Sequence, residues 1–366
     1  QKTSVLDEGL GAVVDSDTPL YGGLDEIKLT NQTLRQAEAL AAKLWGADYA
    51  RFSTGGSTHA NQAIIFALGQ PGDRVAVSRT AHRSVLSALV LAGLEPIWMN
   101  PEIDSATGVP LGIAVAELAK ALAEKPIAIL LTEPGYLGTI SDLPALIKVA
   151  HQQKVPVILD AAWGGHFGFH PQLPQHAFQM GADALITSTH KALPGYSASA
   201  LLLARTELLS AERLEQSFET THTTSPAGAP LASIDGVRAL LQTRGEELLG
   251  QLLENIHRFK ETVQAEFALP IFLYPSDFPA GRFDPSKLVL RVQQLGASGV
   301  DIEEDLQQEG IRVEMADRDT IVFLATIADT TADFERLADV LIPILKKRQE
   351  QRRESATALS WSVIPQ

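Results

Sequence analysis

Two apolar runs in this chain end on opposite charges, and that pairing constrains the fold more than any other feature. Pro156-Val157-Ile158-Leu159 closes on Asp160, and the run 182–186 leads through Thr187-Ser188-Thr189-His190 to Lys191. Short continuous apolar runs bounded by polar loops read as parallel strands buried on both faces. A carboxylate that ends such a run is costly to bury unless a cation or donors meet it. A lysine in a desolvated site loses basicity and becomes nucleophilic. An acid at one strand end and a lysine just past another is the arrangement that pyridoxal phosphate (PLP) requires. Lys191 forms the Schiff base, and Asp160 holds the pyridine nitrogen protonated so that the ring withdraws electrons. Taken singly, Asp160 also reads as a loop cap and Lys191 as a surface lysine; the pairing makes both informative.

The rest of the chain supplies a scaffold for that pair. Helical periodicity over 33–45 is followed by a short strand at 49–53, a glycine turn and a second helix. Strands at 75–78, 127–132, 155–160, 184–188 and 200–204 alternate with helices at 83–92 and 142–152. This alternation predicts an α/β fold with a mostly parallel sheet and helices on both faces. After Thr206 the pattern changes to helices over 207–217 and 231–267, the second broken near Gly245. Strands at 287–292 and 320–324, with helices at 299–309 and 331–347, then predict a small α+β unit. The expected division is an N-terminal arm at 1–30, a large cofactor domain at 31–260 and a small domain at 261–366. The arm, with Tyr21-Gly22-Gly23, is expected to drape over a neighbouring subunit. The basic cluster Lys346-Lys347-Arg348 with Arg352-Arg353 reads as a solvated helix end.

Composition narrows the function. A net charge of −14 over 366 residues repels nucleic acid and anionic membranes, and it suits a cationic substrate. With no cysteine, thiolate metal and redox chemistry are unavailable. No apolar run approaches the roughly 20 residues that span a bilayer. The opening Gln1-Lys2-Thr3-Ser4 carries no signal-peptide pattern, and the missing initiator Met points to trimming, so a cytoplasmic enzyme is expected.

Smaller motifs add contacts. Thr54-Gly55-Gly56-Ser57-Thr58 opens a helix whose free N–H groups and dipole suit an anion, or else forms a capped turn. It lacks the lysine of a P-loop. His82, at a helix start, is either a cap or the ring that covers a flat cofactor. Ala161 and Ala162 are small enough to let that ring approach the backbone. His166 and His170 have neither the helix nor the neighbouring carboxylate of a metal pair, and no metal is expected.

These residues together resemble the fold-type I (aspartate aminotransferase-fold) Orn/Lys/Arg decarboxylases. The resemblance rests on Gly55-Gly56-Ser57-Thr58 with Asn61, Arg79 and His82 with Ser84, and Thr132-Glu133-Pro134 with Gly138. It continues through Asp160 with Ala162-Trp163, Ser188-Thr189-His190-Lys191 and Thr223-Thr224-Ser225-Pro226. It implies Lys191 as the Schiff-base lysine, Asp160 at the pyridine nitrogen and His82 stacked on the ring, with Ala162 beside the cofactor. Gly56, Ser57, Thr58, Ser188 and His190 would hold the phosphate, and Thr223 would reach the phosphate of the partner in a homodimer. Trp163 and Glu314 would line the substrate. The chain departs from the large bacterial members in lacking an N-terminal wing domain, so wing-mediated decamers are not expected. It also departs at Pro194-Gly195-Tyr196-Ser197-Ala198-Ser199, where many members carry a Gln-x-Ser element.

The expected reaction is PLP-dependent α-decarboxylation of a basic amino acid, arginine before lysine and ornithine, giving the amine and CO2. Two rivals stand beside it: another PLP reaction on the same scaffold, such as transamination or elimination, and a non-catalytic PLP-binding regulator. Transamination would call for an arginine fork on the α-carboxylate, and Arg291 is the residue that could be mistaken for one.

Overall fold

The computed structural model describes residues 33–351, apart from residue 106. The expected arm at 1–30 and the pair Arg352-Arg353 lie outside the described residues. Seven strands form the main sheet: β1 (Tyr49–Ser53), β2 (Arg74–Ser78), β3 (Glu95–Met99), β6 (Ala128–Thr132), β7 (Val157–Asp160), β8 (Ala184–Ser188) and β9 (Ala200–Ala204). A small hairpin, β4 (Glu102–Ile103) and β5 (Pro110–Gly112), intervenes. The sheet order is β1-β9-β8-β7-β6-β2-β3. Only β9 runs against its neighbours, pairing antiparallel with both β1 and β8. The remaining pairs are parallel.

Alternation along the strands explains why both faces are covered. Val157 and Leu159 join one core while Ile158 joins the other, and Leu185 is likewise separated from Ala184 and Ile186. Successive side chains point to opposite faces, so an unbroken apolar run needs helices above and below. One face is covered by α1 (Thr33–Trp45), α4 (Val115–Ala123) and α5 (Leu143–Gln152). The other is covered by α2 (Gly56–Leu68), α3 (Arg83–Ala92) and α6 (Ala211–Thr221). Helix α6 begins four residues later than its periodicity suggests, because the Ser210 hydroxyl accepts from the Arg213 N–H and sets the N-cap there.

Helix α7 (Gly228–Gln264) is one continuous 37-residue helix, so the expected break near Gly245 is not present. Leu231, Ile234, Leu241 and Leu249 pack on the sheet, whereas Ile256, Phe259 and Val263 belong to a separate core. Burial of Leu241 and Leu249 on either side outweighs the roughly 1 kcal/mol cost of a glycine in a helix. The separate core is completed by β10 (Leu288–Arg291), α8 (Gly299–Gln308), β12 (Thr320–Phe323) and α9 (Thr331–Glu350), with the short strand β11 (Met315–Ala316) at one edge. Among the described residues, no helix is long and apolar enough to cross a membrane.

Candidate active site

The parallel strands β6, β7 and β8 end side by side, with Thr132 paired to Asp160 and Asp160 to Ile186. Their C-terminal ends deliver three loops to one place, as open α/β sheets do for their ligands. Asp160 closes β7 and is 2% exposed. Its carboxylate accepts from Asn61 Nδ2 at 2.9 Å and from the Ala162 N–H at 3.3 Å. Burial raises its pKa, opposed by the Asn61 and Ala162 hydrogen bonds and by the charges of Lys191 and His82. Asn61 Nδ2 also reaches Ser84 Oγ at 3.1 Å, and Ser84 Oγ lies 2.8 Å from His82 Nδ1. One polar chain thus links the β7 carboxylate, α2 and the start of α3. His82 caps α3 through the Ser84 N–H and is otherwise exposed.

Lys191 follows β8, half-buried, with Nζ 4.5 Å from the centre of the Trp163 ring. Burial lowers its pKa, while Asp160 and Glu314 pull it back up. Trp163 is buried and meets Tyr136 edge-on at 5.6 Å, and the Tyr136 hydroxyl donates to Glu314 Oε1 at 2.8 Å. Glu314 is therefore joined to the site through Tyr136 and faces solvent.

The anion-binding end is built on α2. Gly55 at its N-cap makes no side-chain cap, which leaves the first-turn N–H groups available. Ser57 Oγ and Ser188 Oγ lie 2.8 Å apart. Gly56 adopts φ +67°, and a Cβ there would lie 3.5 Å from Ala198 Cα. The loop 194–199, where the sequence departs from its look-alikes, thus packs directly against the glycine turn. His190 Nδ1 lies 2.9 Å from the Ser199 carbonyl, and Thr58 is exposed on the first turn of α2. Thr223 is exposed, its hydroxyl accepting from the Ser225 N–H, and among the described residues it makes no hydrogen bond to another candidate.

This donor set fits PLP. A fully buried carboxylate, a lysine of depressed basicity and an uncapped helix N-terminus flanked by two serine hydroxyls match its ring nitrogen, aldehyde and phosphate. Three contributors carry no role in the sequence reading. Asn61 and Ser84 stand in its motifs without a function, and Lys287, with Nζ 3.6 Å from the centre of the Trp163 ring, enters it only as the first residue of a strand. The histidines weighed as a metal pair sit apart in role. His166 Nε2 is 2.9 Å from Ser286 Oγ, and His170 Nδ1 accepts from the Gln172 N–H. Arg291 donates to the Pro270 carbonyl and takes no part in the cluster.

Comparison with known proteins places these features. The family model "Orn/Lys/Arg decarboxylase, major domain" matches residues 13–275. The arginine decarboxylase of Bacillus subtilis is 34% identical over 336 residues, covering 90% of this chain and 68% of that protein. The arginine decarboxylase of Halalkalibacterium halodurans is 33% identical over 338 residues, covering 89% and 67%. Among solved structures, the constitutive lysine decarboxylase of Escherichia coli superposes with a TM-score of 0.77 at 20% identity. That match covers 94% of this chain and 55% of the other, so the chain spans about half the length of that enzyme.

Proposed function

The chain belongs to the Orn/Lys/Arg decarboxylase family, and from that membership we propose that it removes the α-carboxylate of arginine, with lysine and ornithine next. The observation that carries the proposal is the buried Asp160 carboxylate, steered by Asn61 and Ala162, sharing one cluster with Lys191. Bound PLP supplies the electron sink for the carbon that loses CO2. Asp160 keeps a proton on the ring nitrogen, and the amides of Asn61 and Ala162 hold its carboxylate in position. Lys191, its basicity lowered by burial, is the amine that would hold the cofactor. His82 would cover the flat ring, and Ala162 is small enough to leave room beside it. Gly56, Ser57, Thr58, Ser188 and His190 bind the phosphate.

Trp163 shields the reacting carbon from water, and Glu314, steadied by Tyr136, receives the cationic side chain. Thr223 serves the partner's phosphate in a homodimer. Leu86, Val90 and Leu91, exposed on one stretch of α3, support a face that a second copy covers. We also take residues 261–366, which carry most of the second core, as the substrate-side domain. Transamination is the weaker reading, because the guanidinium of Arg291 is engaged at the Pro270 carbonyl.

The test is purified protein with PLP and each of arginine, lysine and ornithine, scored for CO2 and amine. Keto acid in place of CO2, or neither product, refutes the proposal.

A further inference from the structure

Lys287 is a buried charge to which the proposed site gives no role. It is 5% exposed, and among the described residues its Nζ makes no hydrogen bond and no ion pair. Its surroundings are apolar and aromatic: Nζ lies 3.6 Å from the Trp163 ring centre and 5.7 Å from that of Tyr136. Asp284 and Glu314 attract it from beyond ion-pair distance, and Lys191 repels it; burial outweighs the sum and lowers its pKa to about 8. A buried cation of this kind needs a partner, and a ring face offsets only part of the desolvation cost.

The position is built, not accidental. The Asp284 N–H donates to the Gly138 carbonyl at 2.8 Å, and the Ile140 N–H donates to the Arg282 carbonyl at 2.9 Å. Thr139 and Phe283 form a β-bridge between those bonds. Lys260 Nζ donates to the Lys287 carbonyl at 3.0 Å, and Ser286 is pinned beside His166. Gly138, at φ +97°, makes room for the stem: a Cβ there would lie 2.7 Å from Lys287 Cγ. A strap between the two cores therefore fixes one lysine over the same ring that Lys191 touches.

We infer that Lys287 anchors the α-carboxylate of the incoming amino acid. The inference rests on the decarboxylase reading: such a substrate brings one anion beside its amine, while its cationic end is met by Glu314. An ammonium held over Trp163 supplies the counter-charge and turns the carboxylate toward a dry, aromatic surface. Because the pairing is made to the ground state and is lost with CO2, its signature is in substrate binding more than in turnover.

The experiment compares, on the holoenzyme, the KM of arginine, lysine and ornithine with the Ki of the amine formed from each. Lys287→Met is expected to raise the KM of the accepted amino acid about 10- to 100-fold, as for loss of a hydrogen bond to a charged group. The Ki of its amine, which lacks the carboxylate, should stay within about twofold, kcat should hold or rise, and Lys287→Arg should recover most of the loss in KM. Equal weakening of acid and amine, an unchanged KM, or failure of arginine to rescue overturns the inference. If Lys287→Met does not fold, Lys287→Gln carries the same comparison. A wild-type protein that decarboxylates none of the three refutes the parent reading and removes this one with it, a result distinct from selective failure in the variant.

Discussion

Replacing Asp160 by Asn separates what this carboxylate costs the protein from what it does for the chemistry. The side chain keeps its shape and loses its charge. In the absence of cofactor the wild-type carboxylate is 2% exposed and burial raises its pKa, so the folded state binds a proton more readily than the unfolded chain. Stability then falls as pH rises from the ordinary aspartate pKa of 3.8 through the folded value, and the penalty is complete above it. A neutral amide at this position escapes that penalty. Asn61 Oδ1, buried and without a partner, can turn to accept from the new amide. The cofactor-free Asp160→Asn variant should gain about 1–3 kcal/mol near neutral pH, or about 1–4 °C in Tm, and the gain should shrink toward acid pH. Activity should move the other way. Removing one member of a buried charge pair costs about 3–5 kcal/mol, or two to four powers of ten in rate. Calorimetry of cofactor-free protein at several pH values, alongside CO2 release by the holoenzyme, measures both effects. A lower Tm, or activity within tenfold of wild type, refutes the reasoning.

Three further outcomes are expected. Lys191→Ala should abolish the visible absorbance of lysine-bound cofactor, and a spectrum that retains it removes Lys191 from the role. Glu314→Gln should raise the KM for the cationic substrate by about tenfold or more while leaving the cofactor Kd within about twofold, because the carboxylate meets the substrate side chain alone; an unchanged KM clears it. Glu133 is buried, and burial pushes its pKa up to about 7 against the Ser141 N–H and hydroxyl bonds that hold its carboxylate. Its folded pKa lies above the unfolded 4.5, so it subtracts stability as pH rises from about 4.5 to about 7. Glu133→Gln should therefore raise Tm at pH 8 and leave it unchanged near pH 4.5, as read by thermal melts; equal shifts at both pH values argue against the mechanism.

Much of this was legible in the residues because strand ends announce themselves. An apolar run that stops on Asp160, or that is followed by Ser-Thr-His-Lys, marks both a sheet and its functional edge. What the residues did not announce are features decided by packing at a distance. The continuity of α7 through Gly245 depends on Leu241 and Leu249 meeting the same core, which helical propensity alone does not report. The N-cap at Ser210 was visible in principle, since serine before a helical stretch is a start signal, but periodicity placed the start earlier. Asn61 and Ser84 stand in the family motifs, but their role as the link between Asp160 and His82 depends on a fold that brings α2 and α3 to the end of β7. Lys287 had no signal. Written as Pro285-Ser286-Lys287 before an apolar strand, it looks like any lysine entering an edge, and only the strap to Gly138 turns it inward.

The unbroken α7 has a mechanical consequence. A single 37-residue rod is shared by both cores, with Leu249 and Leu253 in the first and Leu252 and Ile256 in the second. Hinges work where a loop absorbs torsion, and here the connection is the stiffest kind of segment a chain can make. Relative movement of the two cores is thus confined to flexing or rolling about one common spindle, and the strap that pairs Thr139 with Phe283 tethers them a second time.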